Sequence, residues 1–440
     1  MNGRIFYRQT AVAIAHYWQQ ELNISPNVHY RIREAINGPR LIVLHVIVNP
    51  RYATKIMAMS EALSMAAGLD KEQTIRIARG RSGALSVEIP KPGGIGENGV
   101  PTGLWYNVSI TALPRRVGLR ATVGLDTEHR PTLVDFSDPL TPHALIAGCT
   151  GSGKTNCQRL VVYDLASQNA PNHVQFLLID TKKRGIGWRP FERLPHLLHS
   201  IITDDLTALK ALGWAVAEID RRAKSGQTRP RVFVGIDEAQ ALLEQRDFIK
   251  PIGDLAGVGR EFGIHLLAAL QDPTKDNLGD TTIKRNLTVR LVGKTDSPDA
   301  AKVAAGIGGT GAERLIGAGD FLLVQPDGVR RLTTALLTRK DVARLPTAER
   351  VGYLDLAEYE DIDHVLSQAD NQSKADPLEP AHVAYALVYP EASQRELNRE
   401  FSIGFPKIRR VQAFAQDVLA ELEKLGFSIC NGATVQRLGE

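Results

Sequence analysis

The sequence predicts an α/β protein built on a parallel sheet with helices on both faces. Three observations carry this. Strand-like and helix-like stretches alternate between about residues 126 and 345. A glycine-rich turn, Gly148-Cys149-Thr150-Gly151-Ser152-Gly153-Lys154-Thr155, separates an apolar run from a helical stretch. A second apolar run, Val232-Phe-Val-Gly-Ile, ends in Asp237-Glu238.

At 440 residues the chain is too long for one ordinary domain, so two or three units are expected. Its apolar share of 43% and charged share of 23% are those of a soluble globular protein. A net charge of +4 is only weakly in favour of an anionic partner and is read first as a solvated surface. The three cysteines, Cys149, Cys157 and Cys430, have neither metal nor disulfide spacing. The apolar run Leu41–Val48 is too short to span a bilayer, and the N-terminus lacks a signal core, so a cytoplasmic location is expected.

Residues 1–125 read as a small α+β unit. Helices are expected over Gln9–Leu22 and Ala53–Ala67, and strands over Leu41–Val48, Ile75–Ala78 and Ala84–Glu88. Lys91-Pro-Gly-Gly-Ile-Gly marks a loop. His16, His29 and His45 are isolated and read as ordinary surface or core residues.

Residues 126–345 hold the chemistry. Strands are expected at Ala144–Ala147, Val174–Asp180, Arg231–Ile236, His265–Ala269, Thr288–Gly293 and Asp320–Val324. Helices are expected at Lys154–Ser167, Leu206–Arg222 and Ile249–Phe262. The glycine-rich turn fits G-x-x-x-x-G-K-[ST], the phosphate-binding P-loop. A triphosphate needs a cradle of backbone amides, and Gly148, Gly151 and Gly153 permit the positive φ that aims them. Residues Gly148 to Asn156 are therefore the expected nucleotide cradle for ATP. Lys154 is expected to reach the β- and γ-phosphates, and Thr155 to bind Mg²⁺.

Asp237 and Glu238 fall at the C-terminal end of a strand, where open α/β sheets bind ligands. Asp237 is the expected Mg²⁺ partner and Glu238 the residue that orients the attacking water; capping of the next helix is the plainer alternative. Gln271, after the next strand, is expected to sense the γ-phosphate or the water, with a turn-stabilising amide as its alternative.

Residues 346–379 read as an acidic connector that ends in a linker. Residues 380–440 read as a winged helix. Ser393 to Glu396 form a capping box, Pro406 opens a third helix, and Phe427–Cys430 with Ala433–Leu438 form the wing. Lys407, Arg409 and Arg410 crowd the start of that third helix and are the candidate DNA-binding residues. From Asp376 on, seven Lys/Arg face nine Asp/Glu, so a protein partner for this unit stays open.

Taken together, these residues resemble the FtsK/SpoIIIE family of double-stranded DNA translocases. The likeness rests on Pro142-His-Ala-Leu-Ile-Ala-Gly148 through Thr155, Leu178-Ile-Asp180-Thr-Lys182, Leu194-Pro-His-Leu-Leu198 and Trp214 to Arg222. It continues in Gly263-Ile-His-Leu266 with Gln271, Ile283-Lys-Arg-Asn286 with Arg290, and Gly311 to Asp320. Gly38-Pro39 and Glu88-Ile-Pro90 resemble the family's α subdomain, and Glu391 to Arg410 its γ winged helix. The resemblance implies a RecA-like P-loop ATPase core and a homo-hexameric ring around double-stranded DNA. It also implies ATP hydrolysis at subunit interfaces, and a recombinase or other DNA-processing protein as a candidate partner.

Three departures are visible. The family's membrane-spanning N-terminal region is absent, so septal anchoring is not expected. Lys294-Thr-Asp-Ser-Pro298 lacks the arginine of the family's Lys-x-Asp-Ser-Arg, a candidate trans-acting finger. That role is expected to move to Arg260, Arg290 or Lys294. Pro406 and Lys407 replace the usual Asn and Arg, so the family's preferred DNA sequence does not carry over. Two rival readings remain: a conjugative coupling or secretion ATPase that pumps another cargo, and a non-hydrolysing DNA-binding adaptor.

Overall fold

The computed structural model describes residues 3–356 except 70–72, 81–82, 97–100, 115–116, 272–280 and 350. Beyond 356 it describes isolated helical positions from 385 to 418 and two strands.

The first unit is α1 (Gly3–Leu22), β1 (Tyr30–Asn37), β2 (Leu41–Val48), α2 (Pro50–Ala58), α3 (Ser60–Ala66), β3 (Arg76–Arg79) and β4 (Leu85–Pro90). Its strands make an antiparallel sheet in the order β1-β2-β4-β3. The expected helix over Ala53–Ala67 is two helices. Met59 ends the first turn run at φ −92°, ψ 11°, and Pro50 opens it one residue after the Asn49 cap. Strand β1 was not expected, because Arg31, Arg33 and Glu34 face solvent and leave no apolar alternation. Trp18, Ile24, Ile56, Leu63 and Val87 are fully buried between helices and sheet.

After the short strands β5 (Gly93–Ile95), β6 (Pro101–Gly103) and β7 (Val108–Ser109), the chain enters a ten-stranded sheet through β8 (Arg120–Asp126) and β9 (Pro131–Asp135). Then follow β10 (Ala144–Gly148), α4 (Lys154–Gln168), β11 (Val174–Ile179), α5 (Asp205–Ser225), β12 (Arg231–Ile236), α6 (Gln240–Leu243) and α7 (Arg246–Val258). The remainder is β13 (Ile264–Gln271), α8 (Thr281–Asn286), β14 (Val289–Val292), α9 (Pro298–Ala305), β15 (Asp320–Gln325), β16 (Gly328–Leu336) and α10 (Arg339–Val342).

The order is β11-β12-β13-β10-β14-β15-β16-β8-β9, with β7 beside β16. The five strands from β11 to β14 are parallel, as expected. From β15 to β9 the neighbours in this order pair antiparallel, while β7 lies parallel to β16, so the sheet is mixed rather than wholly parallel. A tight turn joins β15 to β16 as a hairpin, whereas parallel neighbours need long crossovers.

Successive residues of the parallel strands bury on opposite faces. Leu145, Ala147, Leu177 and Ile179 pack with α5 and α7, whereas Ala144, Ile146, Phe176 and Leu178 pack with α4. Both faces are covered, which explains the unbroken apolar runs in the sequence. Part of the expected connector packs on the core: Leu354 N donates to Leu198 O at 3.0 Å, and Leu356 is buried.

Two further strands, β17 (Phe427–Cys430) and β18 (Thr434–Arg437), pair antiparallel where a wing is expected. Ile408, Val411 and Ala415 are buried. Lys407, Arg409 and Arg410 lie outside the described residues, as do the capping box, Pro406 and connector positions 357–379. Among the described residues no helix is long and apolar enough to cross a membrane.

Candidate active site

The parallel strands all present their C-terminal ends at one edge, and there the expected site residues gather. Strand β10 runs straight into the P-loop. Gly148, Gly151 and Gly153 have φ of 149°, 80° and 101°, as the motif predicts. Side chains are also excluded by space. A Cβ on Gly148 would lie 2.9 Å from Lys294 O, and one on Gly153 would lie 3.0 Å from Gly319 N.

The loop is held from beneath. Cys149 N donates to Lys294 O at 2.7 Å, and the Ser152 hydroxyl donates to Cys149 O at 2.8 Å. Lys154 is nine-tenths buried; its Nζ donates to Gly148 O at 2.6 Å and Cys149 O at 2.9 Å. The ammonium therefore folds back over the loop, at the mouth of the helix that should face a phosphate. Thr155 follows it in the first turn of α4.

Gln271, at the end of β13, aligns with Gly148 of β10. Its side-chain amide donates to the Thr150 hydroxyl at 2.7 Å, so the strand beside the P-loop reaches onto it.

One strand further along, β12 ends in Asp237 and Glu238, both buried. Glu238 adopts φ 53°, a left-handed conformation uncommon for a residue with a long side chain. Lys182 Nζ lies 2.9 Å from Glu238 Oε2, and Lys183 Nζ lies 2.7 Å from Oε1 and 3.7 Å from Asp237 Oδ2. The turn after β11 aims these lysines: Asp180 accepts from Lys183 N and Gly187 N, each at 2.9 Å.

The two adjacent carboxyls are pushed in opposite directions. Burial raises Glu238, but the hydrogen bonds and charges of Lys182 and Lys183 outweigh it and hold the carboxyl below the usual range. For Asp237 burial prevails, aided by the charges of Asp180 and Glu238 against that of Lys183, and its carboxyl is pushed up.

Lys182 and Lys183 as carboxylate partners were missed from sequence. The available signal was two lysines immediately beyond a buried strand, at the edge that carries the acids.

Other expected residues lie elsewhere or work differently. The Asn156 side chain belongs to the scaffold: its amide donates to Ala335 O at 2.8 Å, and its oxygen accepts from Leu337 N at 3.0 Å. Arg290 is buried and donates to the carbonyls of Leu287, Val303, Ala304 and Lys284. Its guanidinium is thereby committed within its own chain. Arg260 sits before β13, at the opposite edge of the sheet, half-exposed and bonded to Pro139 O at 2.6 Å. Lys294 lies against its own P-loop through its carbonyl.

Among the described residues no group of three or more His, Cys, Asp and Glu could cage a metal. Asp237 Oδ2 is buried without a hydrogen-bond partner. A single hard oxygen ligand in that state suits Mg²⁺, which takes one or two protein oxygens and completes its shell with phosphates and water. The residues present therefore fit a magnesium ion bound through Asp237.

Residues 114–227 match the FtsK/SpoIIIE family. The chain is 29% identical over 318 residues to DNA translocase SftA of Bacillus subtilis (strain 168), covering 67% of this chain and 33% of that protein. It is 30% identical over 337 residues to DNA translocase FtsK of Lactiplantibacillus plantarum, covering 67% and 40%. Over 416 residues it is 25% identical to DNA translocase FtsK of Treponema pallidum (strain Nichols), covering 88% and 51%. The chain thus spans about a third to a half of the length of these relatives. Among solved structures, the pCW3 conjugation coupling protein TcpA superposes with a TM-score of 0.49 at 17% identity, covering 81% of this chain and 99% of that one.

Proposed function

We propose, from the premise that the chain carries an FtsK/SpoIIIE-family domain, that it is a P-loop ATPase whose turnover drives movement along double-stranded DNA. The observation that carries the reading is the convergence of the P-loop, Gln271, Asp237 and Glu238 on one edge of the parallel sheet. These are the parts that phosphoryl transfer needs: a charge-compensating cradle, a hard oxygen ligand and a water-orienting carboxylate.

In this reading ATP is the substrate. The amides of Gly151 to Thr155 and the Lys154 ammonium compensate the charge of its phosphates. Asp237 and Thr155 would hold Mg²⁺, which when bound with the nucleotide neutralises phosphate charge. Glu238 orients water for attack on the γ-phosphate and takes its proton. To do so it must let go of at least one of Lys182 and Lys183. Gln271 reports on the phosphate end, a role that its bond to Thr150 supports.

The finer parts are proposals of the same kind: a homo-hexameric ring around the duplex, Arg260 acting across a subunit interface, and residues 380–440 as a winged helix that reads DNA through Lys407, Arg409 and Arg410. So are the unit boundaries at 125, 345 and 379, and a cytoplasmic location.

The test is ATP turnover by the full chain with and without linear duplex DNA, at two salt concentrations. DNA-stimulated turnover that weakens steeply with salt is expected, because the contacts are to phosphates. Lys154→Ala should lose nucleotide binding or turnover. Glu238→Gln should bind ATP yet lose roughly 100-fold or more in rate. Wild-type turnover in either variant overturns the site assignment. Turnover indifferent to DNA overturns the choice of cargo and favours a pump of another substrate.

A further inference from the structure

The P-loop does not stand alone on its strand. A second loop, Ile316 to Gly319, lies beneath it and donates upward: Ala318 N to Gly151 O at 3.0 Å, and Gly319 N to Ser152 O at 2.8 Å. The consequence is geometric. In a trans peptide the carbonyl and the next N–H point in opposite directions. Pinning Ser152 O onto Gly319 therefore turns the Gly153 amide toward the open, phosphate-facing side of the loop.

The supporting loop is itself in an unfavourable conformation. Gly317, Ala318 and Gly319 have φ of 85°, 49° and 95°. Three consecutive left-handed residues, one with a Cβ, persist only when the surroundings over-determine them. Here the surroundings are Thr334 and Asp320. Thr334 N and its hydroxyl both donate to Gly319 O, at 2.8 and 3.2 Å. Asp320 Oδ2 accepts from Ile316 N at 2.9 Å and so closes the loop on itself.

Asp320 is fixed in turn. Arg331 grips it with two hydrogen bonds, Nε to Oδ1 at 2.9 Å and Nη2 to Oδ2 at 2.6 Å. The other side of that guanidinium reaches the first unit, with Nη1 2.7 Å from Glu88 Oε2. Glu88 is also held by Arg76, whose Nη1 lies 3.0 Å from both carboxylate oxygens and whose Nε donates to Thr310 O. Glu88, Asp320 and Arg331 are all at least 96% buried. A second limb from the first unit, Arg40, is buried against Trp105 and contributes its charge to Asp320.

We propose that Asp320 is a positioning residue for the phosphate-binding loop, and that Arg331 and Glu88 extend its support to the first unit, so that the first unit sets how well the cradle is formed. The inference deepens the ATPase reading and rests on it for its functional readout. Its structural readout does not.

Glu88→Gln tests it, because Glu88 touches neither the P-loop nor a phosphate position. The full-length variant is compared with wild type by equilibrium binding of a fluorescent ATP analogue and by amide hydrogen exchange. Glu218→Gln is the control: Glu218 anchors another ion cluster, with buried Arg222 and half-exposed Arg221 on α5, and none of its bonds reaches the loop. The expected result is about tenfold weaker binding for Glu88→Gln, the weight of a lost charged hydrogen bond, with faster exchange at 151–154 and 316–320. Glu218→Gln should bind as wild type. Should Glu88→Gln fail to fold, Glu88→Asp, which keeps the charge but shortens the reach to Arg331, replaces it with the same expected direction. Unchanged exchange at 151–154 in a folded Glu88 variant overturns the proposal. So does equal weakening of binding in Glu218→Gln, which would mark a general loss of stability. Failure of the wild type to bind the analogue overturns the ATPase reading instead, and exchange then still decides the linkage.

Discussion

Lys183 Nζ stands 2.7 Å from Glu238 Oε1 and 3.7 Å from Asp237 Oδ2, so one cation from the turn after β11 serves both acids at the end of β12. Its side chain is 39% exposed, which tempers the strength of the pairing. Lys183→Met should therefore lower stability by only about 1 kcal/mol, measured by urea unfolding at pH 7. Its turnover should change by more than that loss of folded protein explains, because Glu238 then keeps only Lys182.

Arg290 and Arg260 should separate cleanly. Arg290 caps carbonyls at the ends of α8 and α9, where a cation also meets favourable helix dipoles. Arg290→Ala should cost at least about 3 kcal/mol of stability, since several buried carbonyls lose their donor. Arg260→Ala should leave the unfolding midpoint nearly unchanged and reduce turnover. Mixing Arg260→Ala with Lys154→Ala subunits should then restore part of it. Retained stability in Arg290→Ala would show that its carbonyls find other partners. Full activity of Arg260→Ala alone would remove it as the trans-acting cation.

The two buried core histidines should make stability fall in acid. His265 stacks on Phe233 with ring centroids 4.7 Å apart and bonds to Pro142 O, while His143 Nδ1 accepts from Leu266 N. Burial above all pushes His265 down to about 4 and His143 to about 3. Between pH 6.5 and those values the unfolded chain binds more protons than the folded one, so stability falls as pH falls. By pH 4 the loss for His265 is on the order of 3 kcal/mol. His265→Phe should flatten unfolding midpoints across pH 6.5 to 4, at some cost at pH 8, where the Pro142 bond is lost. A slope equal to wild type would assign the acid sensitivity elsewhere.

In the C-terminal unit, Arg410→Ala should relax sequence preference at one base position, by roughly 1–3 kcal/mol in competition binding. Lys407→Ala should weaken all sequences alike and reduce the salt dependence. The reverse pattern would exchange their roles, and no change in either variant would favour a protein partner for this unit.

Much of the core was legible because burial on both faces writes continuous apolar strands, and because only glycine suits the P-loop's φ values. Gly148, Gly151 and Gly153 could be placed before any fold was known. Asp237 and Glu238 could be assigned to an edge because they end such a strand. What was not legible depended on pairing across long sequence distances. Nothing local to Glu88 announces Arg331, which lies 243 positions away. The hairpin β8–β9 escaped notice because its strands alternate weakly, and Lys183 because its partners Asp237 and Glu238 end a different strand. From sequence Arg290 reads as one of three candidate fingers, with a structural role as its alternative; its carbonyl partners were not foreseeable, since two of them lie 13 and 14 positions away.

Strand β16 has one further consequence. Arg331 holds Asp320, Thr334 holds Gly319, and Ala335 with Leu337 clasps Asn156 near the start of α4. Two segments flanking the cradle are thus indexed by closely spaced positions on and just after one strand. A one-residue deletion between Arg331 and Leu337 would turn the intervening side chains to the wrong face and misalign both. The β15–β16 turn at Pro326-Asp327 is free of that constraint, since it joins the strands at the far end of the sheet. Length variation among descendants of this chain should collect at that turn, and a reporter peptide spliced there should be carried without loss of the cradle.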